Sequence, residues 1–334
     1  MIEVVQTPPL NSVQDDGRVG FRGFGIGRSG AMDHVALAAA NALLGNEENA
    51  AAIELQLYPF AVKFHSDTLF VLTGATARAK LDGVAVLPWW VTPARGGQKL
   101  VVSEPVDGLR TYLAIAGGVE VPVILGSRST QLRDGFGGFE GRSLKAGDQL
   151  EVGHAAPVTL RDLGGYGASP ALSELPSATW AGSSPGGVIL RVITASEYDL
   201  FDESSKTAFW TTPWTISTKS SRMGYHLTGA TLCRTHDVEM RSHPIVPGVI
   251  QVPPSGDPVI QLADGNSAGG YPKIGVVIEP DLWRIGQARP GQCLHFVRCS
   301  FAEARDVERV TRSYIEEIRR LAKFCRCSPR AKLP

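Results

Sequence analysis

Residues 100–116 read LVVSEPVDGLRTYLAIA, a stretch that indicates a fold built from short β-strands. Its two apolar runs, Leu100–Ser103 and Leu109–Ala116, are rich in the Val, Leu and aromatic side chains that are typical of strands. Asp107-Gly108 between them is a strong turn signal. Short apolar runs separated by glycine turns continue over residues 53–152, so we predict a succession of short strands there.

Further strands are predicted on both sides of this stretch, where short apolar runs end at turn residues. They are Ile2–Val5, Phe60–Phe64, Thr68–Thr73, 147–152, Val188–Val192 and Cys293–Val297. Glycine and proline, 37 and 22 of the 334 residues, exceed their usual joint share of about 12%, which favours short strands over a helical bundle. Apolar residues make up 43% of the chain and charged residues 20%, which allows a sizeable core and excludes wholesale disorder.

Two helices are predicted among the strands. The first covers residues 33–44, where apolar residues recur at three- and four-residue spacing before Gly45 at the expected C-terminal cap. The second covers residues 300–324 and opens with the capping box Ser300–Glu303. Its apolar stripe is expected to be buried and consists of Val307, Val310, Tyr314, Ile318 and Leu321.

These elements predict a mainly β fold with a few helices and two domains. An N-terminal β-rich domain over residues 1–153 contains the helix 33–44, and a stretch rich in Gly, Ser and Pro over 154–187 is a linker or excursion. The second domain, over 188–299, is a β-barrel, and the C-terminal helix 300–324 follows it. A Gly-Gln turn precedes an apolar strand in each half, which favours two related β-barrel regions.

The charge balance and the cysteine pattern exclude several classes of function. Lys and Arg number 33, as do Asp and Glu, so no net charge draws the chain to nucleic acid or to an anionic membrane. No signal-peptide pattern is visible, and no apolar run approaches the roughly 20 residues of a membrane helix. The five cysteines form no CxxC pair, so we expect a reduced, cytoplasmic protein. The seven histidines show no ligand spacing, and no metal site is predicted.

Sequence motifs for nucleotide binding are absent or incomplete. The phosphate-binding motif GxxxxGK[ST] does not occur, and neither does the metalloprotease motif HExxH. Residues 25–30, GIGRSG, formally match GxGxxG, but no core strand precedes them, which excludes a dinucleotide-binding fold. The loop is a candidate anion-binding nest with Arg28 adding charge, and the alternative is a loop that only requires positive φ angles.

Several loops combine glycine with a cationic side chain, so that the backbone can approach a carboxylate or phosphate that the cation holds. The candidate anion-binding residues are Arg28, Ser29, Arg128, Arg142, Arg222 and Lys273. Glu140 and Asp264 are candidate acid/base or orienting groups. The alternative is a set of turns with surface ion pairs. We expect the loops around Arg222 and Gly269–Lys273 to converge on one pocket.

Ten motifs, in order along nearly the whole chain, resemble those of the family of the 5-oxoprolinase C subunit, which is also called allophanate hydrolase subunit 2 or the KipA-like family. They are Ser12–Asp15, Arg28–Asp33, Ala40–Asn46, Leu72–Ala75, Tyr112–Gly118, Gly126–Thr130, Gly137–Arg142, Ser221–Tyr225, Gly248–Pro253 and Gly269–Pro272. Within these motifs, Tyr225, Gln251, Gly269, Gly270 and Tyr271 join the candidate substrate-binding residues.

The resemblance implies cyclophilin-like barrels and a multi-subunit enzyme. Family members work with a KipI-like B subunit, together with an A subunit, in the ATP-dependent opening of 5-oxoproline to glutamate, so ATP and a small lactam or amide substrate are implied for the complex. One alternative is the carboxyltransferase subunit of a biotin-dependent urea or amide carboxylase. The other is a non-catalytic KipA-like regulator that binds a kinase inhibitor. The chain has no biotin-attachment sequence, so any biotin would be carried by another chain.

The chain departs from the family pattern at two points. Asn266-Ser267-Ala268 stands where Gln-Thr-Thr is usual before Gly-Gly-Tyr, and Ser221 stands where Asn is usual before Arg-Met-Gly. The first change shortens two side chains and removes a hydroxyl at Ala268. A different small amide or acid is therefore an alternative substrate.

Overall fold

A computed structural model describes residues 1–155, 165–179, 187–236 and 240–327 of the chain. The chain divides into two compact units. The first comprises Met1–Gly17, His34–Leu175 and the chain from Thr311 onward, and the second comprises Arg18–Asp33 and Pro176–Val310. Residues 18–33, which the sequence places in the N-terminal domain, therefore belong to the second unit. Part of the predicted linker 154–187 lies outside the described residues.

The strands of the first unit form two sheets around one core. In chain order the strands are β1 (Ile2–Gln6), β2 (Ser12–Gln14), β3 (Ala52–Leu55), β4 (Phe60–Phe64), β5 (Thr68–Gly74), β6 (Ala77–Leu81), β7 (Val84–Val86), β8 (Thr92–Ala94), β9 (Lys99–Pro105), β10 (Thr111–Ile115), β11 (Val119–Glu120) and β12 (Gln149–Val152). One sheet has the order β11-β12-β1-β4-β9-β6-β7 and the other β2-β3-β10-β5-β8. Phe64 from the first sheet stacks on Phe70 from the second, with ring centroids 5.3 Å apart, so the two sheets share their apolar faces.

The turn at Asp107-Gly108 does not join two paired strands. Strand β9 pairs with β4 and β6, whereas β10 pairs with β3 and β5, so this turn carries the chain from one sheet to the other. By contrast, Asp82-Gly83 closes a true hairpin between β6 and β7. Both Leu100 on β9 and Leu113 on β10 are fully buried in the shared core. The apolar pattern of each strand is the same whether the two strands pair in a hairpin or lie in two facing sheets, so the pattern does not distinguish these arrangements.

The second unit is a closed barrel. Its strands are β13 (Val188–Thr194), β14 (Trp214–Ile216), β15 (Gly224–Thr228), β16 (His243–Pro244), β17 (Val249–Gln251), β18 (Val259–Gln261), β19 (Ala268–Gly269), β20 (Lys273–Val277) and β21 (Cys293–Arg298). The barrel order is β13-β20-β17-β18-β15-β14-β21, and β13 and β21 close it as a parallel pair. Leu190, Trp214 and Phe296 are buried in its core. The mainly β fold with few helices is confirmed, with barrel closure in this unit and two sheets in the first.

Five α-helices lie in the described part of the chain: α1 (His34–Leu44), α2 (Ala171–Glu174), α3 (Glu203–Thr211), α4 (Leu282–Gln287) and α5 (Phe301–Cys327). Helix α1 is confirmed to within one residue. Gly45 follows it with φ 64°, and the Arg326 guanidinium donates a 2.7 Å hydrogen bond to the Leu44 carbonyl, so a cation stabilises the carbonyl end of α1. None of the described helices combines the length and apolar character that crossing a bilayer requires.

The capping box of α5 is confirmed, but the burial predicted for its apolar stripe is only partly right. The Ser300 amide donates to Glu303 Oε2 at 2.7 Å, and the Glu303 amide donates to the Ser300 hydroxyl at 3.2 Å. Ile318 is buried, whereas Val310 is 43% exposed and Leu321 is 48% exposed. Periodicity identified the apolar face correctly, but it does not say how much of a long helix has neighbours to cover that face.

Candidate functional site

Strands β17 and β20 of the barrel bring several of the predicted residues together. Gln251 on β17 pairs in register with Lys273 on β20. The side-chain amide nitrogen of Gln251, Nε2, donates to the Tyr271 carbonyl at 3.4 Å. A Cβ atom on Gly269 would lie 2.7 Å from that amide nitrogen, so the absence of a side chain permits the close approach. Gln251, Gly269, Tyr271 and Lys273 therefore form one neighbourhood, which we call the Lys273 cluster.

A carboxylate that the sequence did not point to completes this cluster. Glu197, in the loop after β13, places Oε2 3.8 Å from the Lys273 ammonium and accepts a 3.3 Å hydrogen bond from the Lys273 amide. Burial lowers the pKa of Lys273, and the charge of Glu197 opposes that shift. A largely buried ammonium beside a single carboxylate can hold an anionic group of a substrate.

His243 on β16 faces the other oxygen of the same carboxylate. Its Nδ1 lies 2.9 Å from the Arg241 carbonyl, and because a carbonyl only accepts, the ring proton is on Nδ1. Nε2 lies 4.0 Å from Glu197 Oε1 and is buried without a hydrogen-bond partner among the described residues. Neither Glu197 nor His243 has a local sequence signal, because both come to Lys273 from distant segments.

Arg222 and Asp264, two other predicted residues, form a buried ion pair. The Arg222 guanidinium donates to both Asp264 oxygens at 2.9 and 3.1 Å and to the Gly30 carbonyl at 2.7 Å. Arg222 thus fixes the loop of residues 28–30 within the second unit. The shared pocket expected for Arg222 and Lys273 stays a prediction, since the two cations hold different partners.

Tyr225 and the loop before α1 have mainly internal contacts. Tyr225 is buried and donates to the Ala288 carbonyl at 3.2 Å. The Ser29 amide donates to the Ala263 carbonyl, so this amide is not free for the expected anion nest. Arg28 Nη1 lies 3.2 Å from Glu279 Oε1, and both residues line a cavity of about 480 Å³. Gly270 closely approaches the Met240 carbonyl, where a Cβ atom would lie 3.0 Å away.

In the first unit, Glu140 and Arg142 contact each other. Arg142 Nη2 lies 2.7 Å from Glu140 Oε2, and Nη1 lies 2.8 Å from Asp148 Oδ2. The guanidinium also lies over the Phe139 ring at 5.1 Å. The motif Gly137–Arg142 is thus a turn closed by an ion-pair network, and the proposed acid/base role of Glu140 stays a prediction.

Arg128 lies in a loop that is wound around one buried carboxylate. Asp15 accepts hydrogen bonds from the Arg128 amide, the Ser127 and Ser129 hydroxyls and the Gly17 amide. The two motifs that contain these residues are therefore one structural feature. The Arg128 side chain reaches Glu120 at 2.9 Å and lines a cleft of the first unit.

The described residues contain no group of three or more His, Cys, Asp or Glu side chains that could hold a metal ion.

Comparison with known proteins gives the class first. A family described as the carboxyltransferase domain, subdomains A and B, matches residues 24–298, and the chain belongs to this family. Among relatives, the chain is 41% identical to the 5-oxoprolinase C subunit of Escherichia coli (strain K12) over 318 residues, which cover 95% of the chain and 97% of that protein. It is 38% identical to the 5-oxoprolinase C subunit of Haemophilus influenzae over 330 residues, which cover 96% of the chain and 98% of that protein. The resemblance drawn from the ten motifs is confirmed.

Solved structures agree with this assignment. The chain superimposes on the Kluyveromyces lactis urea carboxylase with a TM-score of 0.85 and 30% identity, over 95% of the chain and 29% of that structure. The chain also matches the urea amidolyase of the same yeast with a TM-score of 0.85, over 20% of that enzyme. It corresponds to less than a third of either urea enzyme.

Proposed function

We propose that this chain is the C subunit of an ATP-dependent 5-oxoprolinase, which converts 5-oxo-L-proline to L-glutamate in the cytoplasm. Its partners in the complex, as in other members of the family, are a KipI-like B subunit and an A subunit. The observation that carries this proposal is the similarity to two bacterial proteins of that name, at 41% and 38% identity over nearly the full length of the chain. The mainly β fold, which these relatives' motifs imply, supports it.

The chemistry explains why ATP is needed. A lactam carbonyl is a poor electrophile, so transfer of the terminal phosphoryl group of ATP to its oxygen creates a leaving group. Water then adds to the activated carbon, and the ring C–N bond breaks as the nitrogen takes a proton, which leaves an acyl phosphate. A second water hydrolyses this acyl phosphate to the new carboxylate of glutamate and free phosphate. In this chain, the Lys273 ammonium would hold the substrate carboxylate or the developing phosphate, and Glu197 would orient that ammonium.

Co-expression with the B and A subunits tests the proposal directly. We expect the assembled complex to hydrolyse ATP only when 5-oxoproline is present, and the isolated chain to hydrolyse none, since it lacks a GxxxxGK[ST] motif. Robust 5-oxoproline-dependent turnover by the isolated chain, or a complex that responds to urea and not to 5-oxoproline, would contradict the proposal.

Substitution of Lys273 tests the assigned residue. Loss of one charge-assisted hydrogen bond costs about 1.5–3 kcal/mol, so Lys273→Met should raise the KM of the complex for 5-oxoproline roughly ten- to a hundredfold. Lys219→Met, at an exposed position of the second unit, is the matched control and should leave KM unchanged. Equal KM values for the two variants would remove Lys273 from the site.

The structural similarity to urea carboxylase favours a second candidate, a carboxyltransferase subunit that uses a urea-like substrate with carboxybiotin from another chain. Incubation of the complex with a carboxylated biotin carrier separates the two candidates. Urea-dependent loss of the carboxyl group from the carrier, without any effect of 5-oxoproline, would favour the carboxyltransferase.

A further inference from the structure

The first unit contains a cleft of about 590 Å³ to which the proposed function gives no role. This volume falls within the roughly 300–1,000 Å³ of small-molecule sites. Residues from three of the ten motifs line it, among them Asn46, Gly117 and Arg128. Segments that are distant in sequence thus meet at one concave surface.

One wall of the cleft is rigid backbone. Asn46 Oδ1 accepts a 2.8 Å hydrogen bond from the Gly117 amide, and Asn46 Nδ2 donates to the Ile115 carbonyl at 2.9 Å. Gly117 has φ 91°, and a Cβ atom there would lie 2.1 Å from the Gly153 carbonyl oxygen. The wall is therefore fixed before any ligand arrives, which lowers the entropic cost of binding.

Two of the arginines that line the cleft, Arg128 and Arg95, are only loosely engaged. Arg128 Nη2 pairs with Glu120, whose side chain is 44% exposed, while Arg128 Nε is buried and has no hydrogen-bond partner in the described residues. Such exposed pairs contribute little free energy, so a ligand carboxylate can take the place of Glu120. Arg95 also lines the cleft, and its guanidinium makes no hydrogen bond or ion pair within the described residues.

The lining is balanced in charge. Three arginines and three acidic residues contribute to it, namely Arg95, Arg128, Arg326, Glu47, Asp67 and Glu120. A simple anion would meet the arginines but also the three carboxylates. A ligand with both signs of charge satisfies the two sets together, because its carboxylate replaces Glu120 on Arg128 and its ammonium is close to the carboxylate so released.

We propose that this cleft binds a small zwitterion, a free amino acid whose carboxylate is held by Arg128 and Arg95 and whose ammonium is held by Glu120. L-Glutamate, which the proposed reaction would release, is the probe of this class. The proposal goes beyond the proposed function, because binding is measured on the full chain alone, without ATP or other subunits. A complex that fails to open 5-oxoproline would leave this measurement unaffected.

Isothermal titration with L-glutamate, glutarate and inorganic phosphate tests it. We expect L-glutamate to bind at least tenfold more tightly than glutarate, which lacks the ammonium, and than phosphate. Arg128→Gln should weaken L-glutamate binding roughly ten- to a hundredfold. This change keeps the backbone amide that Asp15 holds, so the loop is retained. Arg78→Gln, an exposed substitution on β6, is the matched control and should change nothing.

Glu120→Gln tests the contact of the ligand's ammonium separately from the contact of its carboxylate. This variant frees Arg128 and removes the partner of the ammonium, so glutarate should bind more tightly and the preference for L-glutamate should disappear. Absence of L-glutamate binding to the wild-type chain would overturn the proposal. Equal binding of all three probes, or equal losses in Arg128→Gln and Arg78→Gln, would overturn it as well.

Discussion

Arg222 in the second unit and Arg128 in the first each place a guanidinium nitrogen 2.9 Å from a carboxylate oxygen. The surroundings of the two pairs differ. The side chains of Arg222 and Asp264 are 6% and 3% exposed, whereas those of Arg128 and Glu120 are 26% and 44% exposed. A buried pair cannot lose one member cheaply, because the other charge is then left in the protein interior. An exposed pair can exchange its partner for a ligand at little cost.

The comparison teaches that distance alone does not identify a binding arginine. Arg222 acts as a structural clamp that also holds the Gly30 carbonyl. Arg128 is the arginine that remains available, because its backbone is anchored by Asp15 while its side chain faces a cleft.

Removing each arginine is the strongest test of this difference. Arg222→Ala leaves Asp264 as an uncompensated buried charge and should lower the free energy of unfolding by about 3–5 kcal/mol. Arg128→Ala should lower it by less than about 1 kcal/mol. Urea unfolding of both variants measures the two values. Similar losses would show that burial does not distinguish the pairs.

Two glycines test the rigidity of the cleft wall. Gly117 and Gly83 both have positive φ angles, 91° and 86°, but a Cβ atom at Gly83 would meet nothing within 4 Å. Both alanine variants should suffer backbone strain, and Gly117→Ala should lose about 1–3 kcal/mol more because of overpacking against Gly153. Thermal unfolding gives the difference. A Gly117→Ala variant as stable as Gly83→Ala would mean that the backbone of the cleft wall shifts to accommodate the added methyl group.

The ion pair of Arg142 and Asp148 is intermediate in burial between the two pairs above, with side chains 27% and 10% exposed. Burial would raise the pKa of Asp148, but hydrogen bonds from Arg142 and the Lys145 amide outweigh it and hold the pKa below its usual 3.8. A carboxyl group whose pKa is depressed by folding stabilises the protein above its unfolded-state pKa, and this contribution is lost as the pH falls through the folded-state pKa.

Asp148→Asn should therefore reduce stability at neutral pH, and the difference from wild type should shrink as the pH falls below 3.8. Unfolding curves across the acid range measure this small effect. A difference that stays constant with pH would show that the charge of Asp148 does not contribute.

Local signals in the sequence predicted the elements better than their partners. The spacing of apolar residues gave α1, and the Ser300–Glu303 box gave the start of α5, because both depend on neighbours within a few residues. Strands β9 and β10 were also found, but not that they enter different sheets. That choice depends on how two apolar faces share one core, which no local pattern contains.

The site shows the same limit. Gly269, Tyr271 and Lys273 were singled out together because they lie within one short stretch of sequence, whereas Glu197 and His243 reach that stretch only through folding. Arg128 and Arg222 both follow a serine in a short polar motif, so the sequence alone assigns them the same role. Burial, which separates them, is a property of the folded chain.

The division of the chain also has a consequence for its synthesis. The first unit needs Met1–Gly17, His34–Leu175 and the chain from Thr311 onward, whereas every residue of the second unit precedes Thr311. Arg326, which donates to the Leu44 carbonyl at the end of α1, is synthesised after every residue of the second unit. Domains fold as units while the chain emerges, so the barrel can be complete while the first unit still waits for its last segment. A stop codon at position 311 would leave every residue of the second unit in place and remove the part of α5 that belongs to the first.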